Sequence, residues 1–165
     1  MFTRRSPGAY LFGFIAAYLA LMVAIPLTYP YGTFTDLDGR PMMMDNGFPD
    51  MLSTMVYGFG DMFCHQEMSR CIMLNGSQTA LCIRDVAIFI GLAAGLLFTT
   101  MRDMDPSTML LLGIALTPVT GIEWGLEHLL GDLMPLRALS GVITGIGISL
   151  IAQWSVNSMY ESVMR

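Results

Sequence analysis

The stretch YLFGFIAAYLALMVAIPLT, residues 10–28, decides the fold because it contains no charged side chain. A helix rises 1.5 Å per residue, so this run extends about 28 Å and matches the hydrocarbon core of a bilayer. Arg4 and Arg5 precede the run, and positive charge before a first span favours a cytoplasmic N-terminus. Because no small-residue cleavage site follows, we interpret the run as a retained membrane anchor and not as a signal peptide.

The composition of the whole chain is that of a protein dissolved in lipid. Its 165 residues are 54% hydrophobic and only 13% charged, with a mean hydropathy of +0.59, whereas a soluble domain has about 25% charged residues. All eight basic residues are arginine, and the net charge is −5. Because the chain lacks a basic patch that could meet phosphates, we expect no nucleic-acid partner.

Three further apolar segments are long enough to cross a bilayer. We predict an all-α membrane protein, a single integral domain over residues 1–165, with a bundle of four transmembrane helices at about 10–28, 82–101, 107–123 and 136–157. The uncharged run from Met51 is too short for a comfortable span. It predicts a re-entrant or interfacial helix over about 51–66, with five spans as the alternative. Loops are predicted at 29–49 and 72–81, and a loop or short helix at 124–135.

The spacing of small residues predicts how the helices pack in this multi-pass protein of the cell membrane. Small residues recur four positions apart, as in Gly91 and Gly95 or Gly141 and Gly145. Such ridges let helix backbones approach closely in lipid, so we expect them to pack helices within the bundle, with a homo-oligomer as the alternative. Ser107 is expected to cap the third span.

The polar residues of the chain converge on one end of this bundle. Spans two and three form a hairpin, so Cys82 at the start of one and Glu123 at the end of the other face the same side. Arg137 begins span four on that side, and a short loop ties Cys64 to Cys82. Because ionisable groups in or at a bilayer are costly, we interpret this convergence as a functional site.

The segments CHQEMSRC, residues 64–71, and CIRD, residues 82–85, predict a metal centre. Thiolate, imidazole and carboxylate ligands together suit zinc, and the candidate ligands are Cys64, His65, Cys82, Asp85 and His128. Asp61 precedes His65 by four residues, a helical spacing at which a carboxylate can orient a ligating imidazole. Gln66 is placed with Asp61 among the residues that support the ligands.

The three cysteines leave other interpretations open. Cys82 could form a disulfide with Cys64 or with Cys71, which leaves one thiol over, or all three could be inert buried thiols. We expect Cys64 and Cys82 to act together and Cys71 to be dispensable.

Two acids and three arginines could complete an active site. Glu123 and Glu127 are four residues apart on one helical face, and one of them could act as a general base beside a metal-bound water. An anionic small molecule could be held by Arg70, Arg84 and Arg137. The alternative is that these arginines pair internally with the acids of the bundle.

Cys-His-Gln, then Arg four residues later, and Cys-x-Arg-Asp opening a span resemble an uncharacterised family of small polytopic prokaryotic membrane proteins. The resemblance covers roughly residues 57–147 and rests on Cys64, His65, Gln66, Arg70, Gly76, Cys82, Arg84, Asp85, Glu123, Glu127, Arg137, Gly141 and Gly145. The chain departs from the family pattern at Cys71, Glu123 and Glu127, where the family carries Ser, Asp and Gln. The resemblance implies a membrane fold and no particular reaction.

The leading hypothesis is a metal-binding membrane protein, with zinc as cofactor and a site at one bilayer edge that could act on an anionic, lipid-like substrate. A thiol/quinone redox protein is the second hypothesis, although the chain has no Cys-x-x-Cys pair. A non-enzymatic ion or proton carrier, or a structural subunit, is the third. The site faces the cytoplasm if 51–64 spans the membrane, and faces outward if this segment re-enters.

Overall fold

The structure is a computed structural model that describes residues 6–37, 47–131 and 133–163, so the middle of the predicted 29–49 loop lies outside it. The side chains outside this description also include those of Ser6, His128, Leu130, Glu161 and Val163. The chain forms two compact units. We call Ala17–Val86 the hairpin unit, and Met1–Ala16 together with Ala87–Arg165 the helical unit.

Helices dominate the described residues. The elements are α1 (Ser6–Thr28), α2 (Met51–Asp61), β1 (Cys71–Leu74), β2 (Ser77–Cys82), α3 (Ile83–Met101), α4 (Pro106–Leu116), α5 (Val119–Leu130) and α6 (Met134–Val163). Four stretches are long and apolar enough to cross a membrane, namely Pro7–Thr28, Ile83–Met101, Pro106–Glu127 and Met134–Tyr160. The prediction of an all-α membrane bundle with four spans is confirmed. Within the described ranges, α2 is not among the spans, so nothing supports the alternative of five.

The predicted loop at 72–81 is wrong, because this segment forms a β-hairpin. β1 pairs antiparallel with β2, and the pairing of Leu74 with Ser77 leaves Asn75 and Gly76 as a two-residue turn. Their φ angles of 50° and 71° are left-handed, as a type I′ turn requires and as Asn-Gly readily adopts. The Asn-Gly turn can be recognised in the sequence, but the two strands cannot. Residues Ser77 to Leu81 are all buried, which removes the alternating pattern of a half-exposed strand.

The short helix α2 starts and ends through local hydrogen bonds. Asp50 caps its start, since the Asp50 carboxylate accepts from the Ser53 amide at 2.8 Å. The helix ends at Asp61, five residues before the predicted end at residue 66. Beyond it, the Cys64 amide donates back to Gly60 O at 3.0 Å, which turns the chain out of the helix.

The third span also differs from its predicted limits. Its cap is Asp105, whose carboxylate accepts from the Thr108 amide at 3.0 Å, and not Ser107 as predicted. Pro118 separates α4 from α5, because proline lacks the N–H that a continuous helix needs. After this break, α5 continues to Leu130, so most of the predicted loop or short helix at 124–135 is helical.

The glycine ridges pack helices within the helical unit. A methyl group added at Gly91 would lie 2.1 Å from Val142 O, and one added at Gly145 would lie 2.1 Å from Ile88 O. The backbones of α3 and α6 are therefore in direct contact, and the expected packing within the bundle is confirmed at these glycines.

An aromatic stack and a close backbone contact hold the hairpin unit together. The ring of Tyr57 on α2 stacks on Phe34 at a centroid distance of 4.4 Å and on Phe48 at 5.4 Å. Next to this stack, a methyl group added at Gly60 would lie only 2.0 Å from Ala80 O. The backbone of α2 therefore rests directly on β2, which fixes the loop that follows α2 relative to the end of the strand.

Candidate metal centre

Three potential ligands meet in the hairpin unit. Cys64 lies in the loop after α2, Cys82 ends β2, and Asp85 stands in the first turn of α3. The two sulfur atoms and a carboxylate oxygen all lie within 4.8 Å of one another, and the Cys82 thiol donates to Asp85 Oδ2 at 3.0 Å. In the part of the chain that the structure describes, no other group of three His, Cys, Asp or Glu side chains approaches so closely.

The sulfur of Cys64 is held by the backbone. Cys64 Sγ accepts from the amide of Cys82 at 3.2 Å and from the amide of Gln66 at 3.4 Å. The second contact depends on Gln66, whose left-handed φ of 52° turns the chain back on itself. Because hydrogen bonds to a sulfur favour its negatively charged form, this arrangement suits a metal-bound thiolate.

Gln66 also links this loop to α2 and β2. Its side-chain amide donates to Tyr57 O at 3.0 Å and to Ala80 O at 2.9 Å, and its own carbonyl accepts from Gln78 Nε2 at 2.6 Å. Both glutamines are fully buried. The predicted supporting role of Gln66 therefore has a concrete geometry. Tyr57 and Gln78 were not predicted from the sequence, although a glutamine beside an apolar segment is a usable signal for a buried polar contact.

The electrostatics of the group favour a bound cation. The hydrogen bond with the Cys82 thiol raises the pKa of the Cys64 thiol, and burial and the Asp85 carboxylate act in the same direction. Two thiolates beside a carboxylate would place three negative charges in one largely buried space. A divalent cation among them would offset that charge.

Two residues predicted beside the ligands occupy different surroundings. Asp61 is buried at the end of α2, whereas His65 is exposed and its imidazole lies outside the Cys64, Cys82 and Asp85 group. Because α2 ends at Asp61, the helical spacing that motivated the pairing with His65 does not apply. A ligand role for His65 stays a prediction.

The third cysteine lies closer to the group than the sequence suggested. Cys71 is buried and is the Cα partner of Cys82 across the β1–β2 ladder, but it is not part of the three-ligand group. None of the three cysteines, all of them described, forms a disulfide. The dispensability of Cys71 stays a prediction, and its position makes it a well-matched control for Cys64 and Cys82.

The arginines predicted to bind an anion have different environments. Arg70 is exposed and forms an ion pair with Glu67 at 3.1 Å, within one turn of chain. Arg84 is half-buried at the start of α3. Arg137 is 2% exposed, belongs to the helical unit, and pairs with Glu127.

This ion pair is part of a polar contact between α5 and α6. Glu123, 3% exposed, accepts from the hydroxyl of Ser140 at 3.3 Å. The contact continues towards the Pro118 break through hydroxyl groups, those of Thr120, Ser140 and Thr144. The pairing of Arg137 with Glu127 is what the internal ion-pair alternative predicts for these two residues. Catalytic roles for Glu123 and Glu127 stay predictions, as do a ligand role for His128 and the convergence of the two polar groups.

The spanning helices define a multi-pass membrane protein that is embedded in the lipid bilayer. More particularly, the chain belongs to the family described as predicted membrane protein (DUF2085), whose model matches residues 64–151. No curated protein matches the chain, and no solved structure matches it. The match confirms the membrane-protein family of unknown function that the sequence resembled, while the cysteine signature stays a prediction. The matched region contains both polar groups, from Cys64 to Arg137.

Proposed function

We propose that the protein is a metal-binding membrane protein in which Cys64, Cys82 and Asp85 hold a zinc ion at one edge of the bilayer. The observation that carries this proposal is the approach of the three ligand atoms to within 4.8 Å of one another. Zinc lies about 2.3 Å from a thiolate, so tetrahedral geometry separates two sulfur ligands by about 3.8 Å. The side chains therefore need to move by no more than about 1 Å to bind the ion.

The donor set supports zinc over harder cations. Two sulfurs and one carboxylate oxygen suit a borderline-soft ion, whereas magnesium and calcium prefer oxygen ligands alone. The two backbone amides on Cys64 Sγ and the buried contacts of Gln66 favour a preformed site. Preformation lowers the entropic cost of bringing the ligands together.

Three protein ligands leave one coordination position for water or for a substrate. Zinc sites with an open position are the catalytic type, because the ion lowers the pKa of bound water to about 7. This chemistry supports the finer proposal of a zinc-dependent enzyme of the cell membrane that acts on an anionic, lipid-like substrate. Arg70 and Arg84 would then hold the anion.

The same pair of sulfurs supports one competing function. Cys64 Sγ and Cys82 Sγ are near enough that a disulfide could form between them after a small movement. That bridge would favour the thiol/quinone redox hypothesis, in which the two cysteines gain and lose electrons together.

Metal and thiol analysis of the full-length protein separates these functions. We expect purification in mild detergent without added reductant, so that any disulfide is preserved, to yield about one zinc per chain by mass spectrometry. Removal of the metal by a chelator should then expose three thiols that react in unfolding conditions. A metal-free protein with one reactive thiol would favour the redox function. A metal-free protein with three reactive thiols would leave neither function standing.

Matched variants locate the site within the chain. Cys64→Ser, Cys82→Ser and Asp85→Asn should each reduce bound zinc by about tenfold or more, because each removes a ligand. Cys71→Ser removes a thiol that is as buried as that of Cys64 and lies opposite Cys82, so it controls for the loss of a buried sulfur. If Cys71→Ser loses as much zinc as the other two cysteine variants, the site contains three thiols.

A further inference from the structure

The short helix α2 exposes large apolar side chains. Its outer face and the turn after it expose mainly apolar side chains, with Thr54 as a polar exception; the apolar ones are Met51 at 72% exposure, Leu52, Met55, Met62, and Phe63 at 60%. Its buried face carries the polar side chains of Ser53 and Asp61 together with Val56 and Tyr57. A helix on a water-covered surface instead exposes mainly polar side chains. A contiguous apolar face of this kind therefore indicates contact with another apolar phase.

The contacts of α2 with α1 indicate its depth in the membrane. Tyr18 lies in the middle of the Pro7–Thr28 span, about 15 Å of helix from either end. Its hydroxyl donates to Val56 O at 3.2 Å, and its ring packs edge-on against Phe59 at a centroid distance of 4.8 Å. The central part of α2 therefore packs beside the middle of a membrane-spanning helix.

The chain nevertheless returns to the side from which it came. With 11 residues, α2 is about 16 Å long, roughly half the thickness of the hydrocarbon core. The segments before and after α2 meet at the end of α1. Asn75 Nδ2 donates to Tyr29 O at 2.9 Å, and the Gly32 amide donates to Asn75 O at 3.1 Å. Entry and exit of the segment therefore lie on one side of the bilayer.

We propose that α2 is a re-entrant helix whose outer face, from Met51 to Phe63, lies against lipid tails. The segment between α1 and α3 then does not cross the membrane, so the Cys64, Cys82 and Asp85 group lies on the side opposite the N-terminus. Arg4 and Arg5 direct the N-terminus to the cytoplasm, and the group therefore faces outward. This inference is independent of zinc binding, since it rests on the helix and its flanks alone.

Cysteine labelling of the full-length protein in intact cells tests the topology. Tyr31→Cys and Ser69→Cys place thiols at exposed positions before and after α2, and Asp103→Cys places one in the loop between α3 and α4. A membrane-impermeant maleimide should label the first two variants in intact cells, and the third only after permeabilisation. Unsubstituted protein measures labelling of the three native cysteines. Labelling of Tyr31→Cys and Ser69→Cys from opposite sides would overturn the re-entrant helix. Labelling of both only after permeabilisation would overturn the outward orientation.

A spin label tests the contact with lipid. A nitroxide at Met55→Cys, in protein reconstituted into vesicles, should collide often with oxygen and rarely with a water-soluble nickel chelate. The same label at Ser69→Cys should show the reverse, because that position is exposed in the short 3-10 helix Met68–Arg70. If both labels meet the nickel chelate equally, α2 lies on the membrane surface and not within it.

Discussion

Replacement of Gly60 by alanine tests whether α2 holds the metal centre in place. The added methyl carbon would lie 2.0 Å from Ala80 O and 3.1 Å from Gln66 Nε2. Real carbon–oxygen contacts of this kind are almost never shorter than 3.0 Å, so α2 and β2 would have to separate by about 1 Å. That movement would displace the loop that carries Cys64.

The magnitude follows from two opposing effects. Overpacking of a close contact costs about 1–3 kcal/mol, whereas alanine in place of glycine stabilises a helix by up to about 1 kcal/mol. We therefore expect Gly60→Ala to lower the free energy of unfolding by about 1–2 kcal/mol. Because this displacement is as large as the movement that the ligands need to bind the ion, zinc affinity should fall by about tenfold or more.

Two measurements check this expectation. Thermal unfolding in detergent without zinc reports the stability, and competition with a zinc-binding dye reports the affinity. Gly13→Ala is the matched control, because a methyl group there would meet no atom within 4 Å. If Gly60→Ala behaves like Gly13→Ala in both assays, α2 does not position Cys64, and the reasoning above is refuted.

Three further outcomes are expected. Arg137→Leu should lower the free energy of unfolding in detergent by about 3–5 kcal/mol, because it leaves the largely buried Glu127 carboxylate without this partner. Arg102→Ala, at the exposed end of α3, should have little effect in the same assay. Burial raises the pKa of Tyr57 above its ordinary value of about 10, so its contribution to stability is present below pH 10 and is lost as the pH rises through the raised pKa. An unfolding series at alkaline pH should show this loss, and Tyr57→Phe should make it smaller. Zinc must displace the protons of its ligands, and the pKa of Cys64 is raised. Dye competition should therefore show that zinc affinity still rises between pH 7 and pH 9. If the affinity does not change over this range, a thiolate ligand is contradicted.

The spanning helices were predictable because length and apolar content alone decide whether a helix can cross a bilayer. The hairpin was not, although the Asn75-Gly76 turn is a strong local signal. β2 is buried on both faces, so its sequence lacks the alternation of polar and apolar residues that predicts a strand. Its burial depends on α2, which is distant in sequence and packs on it. Gly60 has the same character, since nothing in its neighbouring sequence indicates that Ala80 O will lie against it.

Part of the candidate site was predictable because polar residues stand out beside apolar segments. Cys64, Cys82 and Asp85 are noticeable as polar groups beside apolar segments, and the structure brings these three together. The outward position of His65 was not predictable from residue spacing. It depends on the end of α2 at Asp61 and on the left-handed backbone of Gln66. This backbone turns the chain so that Cys64 and Gln66 are both buried while His65 between them is exposed.

The compact sequence range of the centre has a consequence for biogenesis. The three ligands lie between positions 64 and 85, and the hydrogen bond from Asn75 to Tyr29 closes the surrounding chain. Everything that forms the group is therefore synthesised before α4, α5 and α6 leave the ribosome. Because such units fold in order from the N-terminus, zinc could be loaded while the last two spans are still being inserted. The supply of metal at that moment, and not the completed bundle, would then set how much of the protein matures with its ion.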